Sequence, residues 1–254
     1  MTRGCLGLVL LLAALMPCVA AVEFDGNDDY RTTGGSAVQG NTHSVAVRFL
    51  VTNSTTGQVF YCAASSSTGD SYLNVSVSNG NFNNQIGGAV VSVAGVANNT
   101  WHTGVVVNAT AASHACYLDG SSNTGTTDSS MSDLSFEWTC IGAQRRFGAG
   151  PSAYLTGNVA WVAVWSVALD ASQSVSITSG ASPFSVAPGS LTAFYLLEVH
   201  DPAGARNLLG NFTLGTVTSD PATVEVPPRP RHEVQQSLRF PDLFDEEVLR
   251  ARAA

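Results

Sequence analysis

The feature that most constrains this chain is a series of short segments in which apolar and polar residues alternate with period two, each closed by a turn signal after about ten residues. In SVAVRFLV, Val45, Val47, Phe49 and Val51 fall on one face; in SYLNVSVSNG, Leu73, Val75 and Val77 oppose Tyr72, Asn74 and Ser76. Successive side chains of a strand point to opposite sides, so each segment predicts a strand with one buried and one solvated face. VVV at 105–107 and VAWVAVWSVAL at 159–169 are apolar on both faces and predict strands in the middle of a layered structure. Asn79-Gly80 and Asp119-Gly120 are the residue pairs that two-residue hairpins favour. No long stretch has the 3.6-residue period of an amphipathic helix. The pattern predicts an all-β fold, a two-sheet antiparallel β-sandwich.

Composition narrows what such a sandwich can do. Of 254 residues 44% are apolar and 12% charged, which supports a buried core and excludes a disordered chain. The net charge is −8, there is no lysine, and five of the 11 arginines follow position 224, so a basic face for nucleic acid is not expected. The length suits one sandwich domain with appendages at both ends.

The first appendage, residues 1–21, places Arg3 before an apolar run from Leu6 to Ala20, with Val19 and Ala21 or Cys18 and Ala20 at cleavage positions. That is the layout of a secretory signal peptide or apolar leader; translation from Met16 is the alternative. A lipid anchor on Cys18 is disfavoured by the preceding Pro17. The run is shorter than the roughly 20 residues of a bilayer span, and no later segment qualifies, so no membrane span is expected in the mature form. The second appendage, residues 219–254, carries Pro221, Pro227, Pro228 and Pro230 and reads as an extended Pro-rich linker. It ends in FPDLFDEEVLRARAA, a short helix capped by Asp242 that either frays or docks through Phe240, Leu243, Phe244, Val248 and Leu249.

Four segments between these ends, in order, resemble the concanavalin A-like jelly rolls of the laminin-G-like (pentraxin-like) kind, including bacterial and phage modules. VEFDGNDDY resembles the opening strand and turn, WHTGVVV a central strand, CYLDGSSNTG the hairpin after it, and IGAQRRFGAGPSAYLTGNVAWVAVWSVALDASQ the closing strands. A further likeness, through GASPFSVAPGSLTAFYLLE and NLLGNFTLGTVT, extends the jelly-roll domain over residues 22–218. The resemblance implies a ligand-binding sandwich and permits Ca²⁺, which many such modules bind.

The residues themselves argue against catalysis. Glycoside hydrolysis needs two carboxylates about 5 to 9 Å apart. Here Glu137 stands alone, and Glu198 is separated from Asp201 by a His200-Asp201-Pro202 turn. The histidines show no metal-ligand spacing, no nucleophile elbow or phosphate loop occurs, and His102 reads as a packed or edge residue. Asp25, Asn27, Asp28 and Asp29 form the candidate metal site, with calcium as the candidate cofactor, against the alternative of a polar turn in which the aspartates bond their own backbone. Ala160 and Trp161 stand where the family often has paired aspartates.

Carbohydrate binding would use aromatic rings beside amides. Tyr72 with Asn74 is the leading pair, and Phe82, Tyr61 and Trp138 follow; Trp101, Trp161 and Trp165 read as core. Cys62, Cys116 and Cys140 allow one disulfide at most, or buried thiols, and Asn53, Asn74, Asn98, Asn108 and Asn211 lie in glycosylation sequons. The expected function is a secreted or surface-displayed, non-catalytic module whose partner is a glycan or a surface protein. The rival is a structural protein of a phage or virus particle, a decoration or tail-associated component that meets other virion proteins through its C-terminal tail.

Overall fold

The computed structural model describes residues 21–33, 35–38, 40–65, 72–125, 136–146, 148–197, 206–207 and 215–217. The leader through Ala20, the tail 219–254, Asn211, and the Glu198–Asp201 turn lie outside the described residues. In chain order the strands are β1 (Val22–Asp25), β2 (Tyr30–Thr33), β3 (His43–Val51), β4 (Gln58–Ala64), β5 (Tyr72–Ser78) and β6 (Asn81–Ile86). There follow β7 (Ala89–Ala94), β8 (Trp101–Thr110), β9 (Ser113–Leu118), β10 (Ser121–Gly125), β11 (Trp138–Ile141) and β12 (Gln144–Arg146). The last are β13 (Ala149–Ser152), β14 (Thr156–Trp165), then helix α1 (Ala171–Thr178), β15 (Leu191–Leu196), β16 (Arg206–Asn207) and β17 (Gly215–Val217).

They form the expected antiparallel sandwich. An eight-stranded sheet runs β10-β9-β8-β3-β14-β15-β16 with β1 also on β14, a seven-stranded sheet runs β17-β2-β11-β4-β5-β6-β7, and β12-β13 is a separate hairpin. Val45, Val47, Phe49 and Val51 from the first sheet meet Leu73, Val75, Val77 and Phe82 from the second in one core, with Phe49 and Phe60 centroids 4.0 Å apart. A Cβ on Gly104 would lie 2.3 Å from the Phe82 ring, so the glycine makes room for that ring between the sheets. Asn79 and Gly80 turn with φ of 49° and 73°, the left-handed pair that a tight hairpin needs, and set β5 against β6 with Asn74 opposite Gln85.

Strands that read as apolar on both faces are covered on both. Val106 faces the inter-sheet core, whereas Val105, Val107, Ala163 and the fully buried Trp165 form a second cluster with Ile177 of α1. The helix carries a reciprocal cap: Asp170 Oδ1 accepts from the Gln173 backbone N–H at 2.8 Å, and Gln173 Oε1 accepts from the Asp170 N–H at 3.0 Å. Trp161 and Trp101 correct the expectation of core tryptophans, being half-buried, with Arg48 5.7 Å from the Trp101 ring centroid. The solvated face expected of β3 is also partly closed, since Ala46 lies in the cluster beneath the helix.

At one point the inter-sheet core is polar. Asn108 Oδ1 accepts from Asn84 Nδ2 at 2.8 Å and bonds the His114 ring at 2.7 Å, while Asn108 Nδ2 lies 2.8 Å from the buried His43 ring, which also bonds the Gly40 carbonyl. Burial pushes the His43 imidazolium down to about 4, and the neighbouring His114 adds to the shift. Two sequon asparagines, Asn74 and Asn108, are closed to glycosylation in the folded chain, at 1% and 0% exposure.

Candidate functional site

The outer face of the seven-stranded sheet carries the polar half of the β5 alternation, and it is not the solvated face that alternation predicts. Tyr72 and Asn74 are 5% and 1% exposed. The β12-β13 hairpin and the chain after it account for part of this cover: the Ala153 carbonyl accepts from the Val59 N–H at 3.0 Å, and the Arg145 carbonyl from Cys62 Sγ at 3.4 Å. Between hairpin and sheet lies a groove of about 310 Å³, lined by Gln58, Asn74, Ser76, Asn83, Gln85 and Gln144 among others. That volume is at the small end of the about 300–1,000 Å³ typical of ligand pockets.

The strand registers build this wall of amides. Asn74 stands opposite Cys62 on one side and Gln85 on the other, and Asn83 stands between Ser76 and Ser92. Gln85 Nε2 donates to Tyr72 Oη at 3.1 Å, Asn74 Nδ2 donates to Gln85 Oε1 at 3.3 Å, and Ser92 Oγ donates to Asn83 Oδ1 at 2.7 Å. With its side-chain carbonyl turned toward β5, Gln144 accepts from Arg146 Nε at 3.0 Å, from the terminal Arg146 nitrogen at 2.9 Å, and from Asn74 Nδ2. Asn74 Oδ1 remains buried without a donor. An unpaired buried acceptor of this kind costs about 1–3 kcal/mol of stability.

Two arginines of β12 stack on rings of the same sheet face, outside the lining of the groove. The Arg146 guanidinium carbon is 4.1 Å from the Tyr72 ring centroid and that of Arg145 is 4.1 Å from the Trp138 centroid. Trp138 and Tyr72 flank Ala64 in register, so the two stacked pairs lie side by side on one face. Tyr72, Asn74 and Trp138 are therefore brought together, but the rings bear guanidinium groups rather than lying open to a sugar. Phe82 and Tyr61 require correction: both are 0% exposed in the inter-sheet core. Phe82 shares the face of Val77, its register partner. Tyr61 is turned inward by a bulge between Val59 and Tyr61, which sends both Phe60 and Tyr61 to the core. Burial pushes the Tyr61 hydroxyl far above its ordinary value.

The acidic turn is a separate feature at the end of β1. Carboxylate oxygens of Asp25, Asp28 and Asp29 lie within 4.8 Å of one another. Backbone and side-chain N–H groups of Asn27 donate to Asp25 at 2.8 and 3.1 Å and hold its carboxyl below the usual range. Partial burial raises that of Asp29, with the charges of Asp25 and Asp28 adding to it, while its Oδ2 accepts from the Asp25 N–H at 3.1 Å. Three carboxylates can supply several of the six to eight oxygens that calcium takes, and Asn27 or backbone carbonyls would have to supply others. Ala160 is wholly buried and brings no oxygen side chain from β14.

The remaining reactive groups are packed. His102 is 3% exposed and bonds Asp119 and the Ala97 backbone. Cys62, Cys116 and Cys140 are buried free thiols, with Cys62 and Cys140 register partners on adjacent strands. Burial pushes Cys62 and Cys116 up to about 12 and Cys140 to about 11, which removes the thiolate a nucleophile needs.

The chain matches no protein-family model and no curated protein. Solved structures do resemble it. A pentraxin from Limulus polyphemus is 19% identical with a TM-score of 0.54, over 78% of this chain and 94% of its own. A Bacteroides ovatus protein described as a candidate carbohydrate binding protein gives 16% and 0.56, over 78% of this chain and 58% of its own. A CBM40 of Ruminococcus gnavus IT-sialidase, bound to α2,3 sialyllactose, gives 11% and 0.51, over 63% and 96%. At these identities the likeness is one of fold: a lectin-like jelly-roll sandwich.

Proposed function

We propose that this protein is a non-catalytic glycan-binding module of the laminin-G-like, pentraxin-like type, acting outside the cell through the groove on the outer face of its seven-stranded sheet. The observation that carries the reading is the wall of side-chain amides that lines the groove. Side-chain amides both donate and accept, as sugar hydroxyls do, so such a wall matches a ring of hydroxyls at several points at once. The carbohydrate-binding neighbours support the same reading, and the leader-like residues 1–21 support export. No helix of the described residues is long and apolar enough to cross a membrane.

Gln85 would orient the sugar, and Tyr72 would hold Gln85 and Arg146 in place rather than stack on the ligand. The described residues that line the groove offer amides, hydroxyls and small or apolar side chains, which supports binding as its role. A glycan array run with the full chain in calcium and in EDTA tests this. The expected result is a defined set of glycans whose signal is unchanged by EDTA and falls at least tenfold in Gln85→Ala, a loss of about 1.4 kcal/mol. A signal abolished by EDTA would move the site to the Asp25–Asp29 turn. Silence on the array, with the protein found in particles, would favour the virion structural role.

A further inference from the structure

The buried thiols Cys62, Cys116 and Cys140 are not equivalent. Cys116 stands in the core between the sheets, where its Sγ donates to the Val91 carbonyl at 3.0 Å. Cys62 and Cys140 lie on the outer face of the seven-stranded sheet, packed with Ala64 and Tyr72, and Cys62 Sγ donates to the Arg145 carbonyl of the hairpin above. The backbone of that sheet therefore separates Cys116 from the other two. Cys62 on β4 and Cys140 on β11 are direct register partners in an antiparallel pairing that runs unbroken from Ala64 and Trp138 to Tyr61 and Ile141. Residues directly opposite in such a ladder project to one face, with Cα atoms about 4.5 or 5.5 Å apart according to the hydrogen-bonding position. A disulfide takes Cα separations of roughly 4.4–6.8 Å, so either spacing admits one after a turn of the side chains and a small drawing-in of the Cβ atoms. Burial pushes the Cys62 thiol up to about 12, and the Cys140 sulfur is near enough to add to that shift.

We propose that Cys62 and Cys140 close a cross-strand disulfide when the chain folds in an oxidising compartment, with Cys116 left as a thiol. The compartment rests on the reading of an exported module given above; the pairing does not. The step is exchange with a disulfide donor such as oxidised glutathione. One cysteine thiolate attacks a glutathione sulfur and releases the first reduced glutathione, and the other then attacks the protein sulfur of the mixed disulfide and releases the second. Two thiol hydrogens and two electrons thus pass from the protein to glutathione. The exchange belongs to the folding chain, because in the finished fold burial withholds the thiolate. The bridge encloses β5 to β10 and ties β4 to β11 beside Asn74, the register partner of Cys62 that lines the groove. It gives up only the weak S–H donation to Arg145.

The test uses reduced, denatured full chain carrying Cys5→Ser and Cys18→Ser, which removes the leader thiols from competition. It is refolded in a glutathione redox buffer and, separately, in excess reductant; thiols are then blocked in denaturant and the peptides mapped by mass. The expected product of the first buffer is folded protein with Cys62 joined to Cys140 and the blocking label on Cys116 alone, whereas the second gives label at Cys62, Cys116 and Cys140. At the urea midpoint of the thiol form, the linked form should show a folded-to-unfolded ratio about tenfold or more higher. Cys116→Ser should keep both the bridge and that gain, and Cys140→Ser should behave alike in the two buffers. Folded protein with Cys62 and Cys140 still free or capped by glutathione, a bridge to Cys116, or a Cys62–Cys140 bridge found only in misfolded chain overturns the inference. Glycan binding is read separately, on the array, with protein from each buffer. A failed pairing therefore leaves the binding reading standing, and a silent array leaves the pairing standing.

Discussion

Both sheets carry a second layer on the outer face, and the two layers are chemically opposite. Over the eight-stranded sheet, helix α1 and its flanking turns close an apolar cluster around Trp165, whose Nε1 donates to the Val186 carbonyl at 2.9 Å, so its polar atom is satisfied. Over the seven-stranded sheet, the β12-β13 hairpin leaves a groove lined by side-chain amides and hydroxyls. The first cover removes apolar area from water and stabilises the fold. The second lines an open groove with side-chain amides, groups that both donate and accept hydrogen bonds. The two covers thus differ in the chemistry of the side chains they enclose, apolar beneath the helix and amide-rich beneath the hairpin, although burial is similar on both.

The largest effect that sharpens this contrast should come from the apolar side. Trp165→Ala removes a fully buried ring and should cost about 3–5 kcal/mol of unfolding free energy in a urea titration. Glycan affinity of the folded fraction should remain within twofold; a large affinity loss would break the division of labour between the sheets. Next comes the polar point in the shared core. His43 has an ordinary value of 6.5 and is pushed down to about 4 in the fold, so the unfolded chain takes up its proton first as pH falls. The stability contributed by neutral His43 is therefore complete above about pH 6.5 and lost progressively down to about pH 4, amounting to roughly 3 kcal/mol. Urea midpoints across that range check it, and His43→Gln should flatten the curve. The smallest effect is an absence of reaction: in native protein at pH 8, iodoacetamide should leave Cys62, Cys116 and Cys140 unlabelled over a period in which the denatured chain is labelled at all of them. Labelling of Cys62 in the native protein would mean that the hairpin cover opens.

Much of the groove is legible in the sequence. The turn at Asn79-Gly80 fixes the pairing of its two strands, so the sequence alone sets Gln85 opposite Asn74 and Asn83 opposite Ser76. The same count puts Phe82 opposite Val77, on the core face, and would have removed it from the ligand candidates. Tyr61 was not legible, because the bulge before it breaks period two and alternation cannot announce a bulge. Arg145 and Arg146 were visible only as part of a family-like stretch. Their position over Tyr72 and Trp138 depends on a hairpin folding back across the sheet, a long-range contact that no local pattern carries. The helix was signalled by Asp170 and Gln173 in capping-box spacing, but its eight residues are too few to show a clear 3.6-residue period.

The central claim is that ligand binds the amide wall beneath the hairpin, and side-chain amide resonances report on it directly. In a ¹⁵N-labelled full chain titrated with the strongest array hit, the side-chain NH₂ groups of Asn74, Asn83, Gln85 and Gln144 should shift in a saturable way. Backbone amides of the Asp25–Asp29 turn and of α1 should stay in place. Saturable shifts confined to that turn or to the helix side, with the four side-chain amides unmoved, would contradict the account.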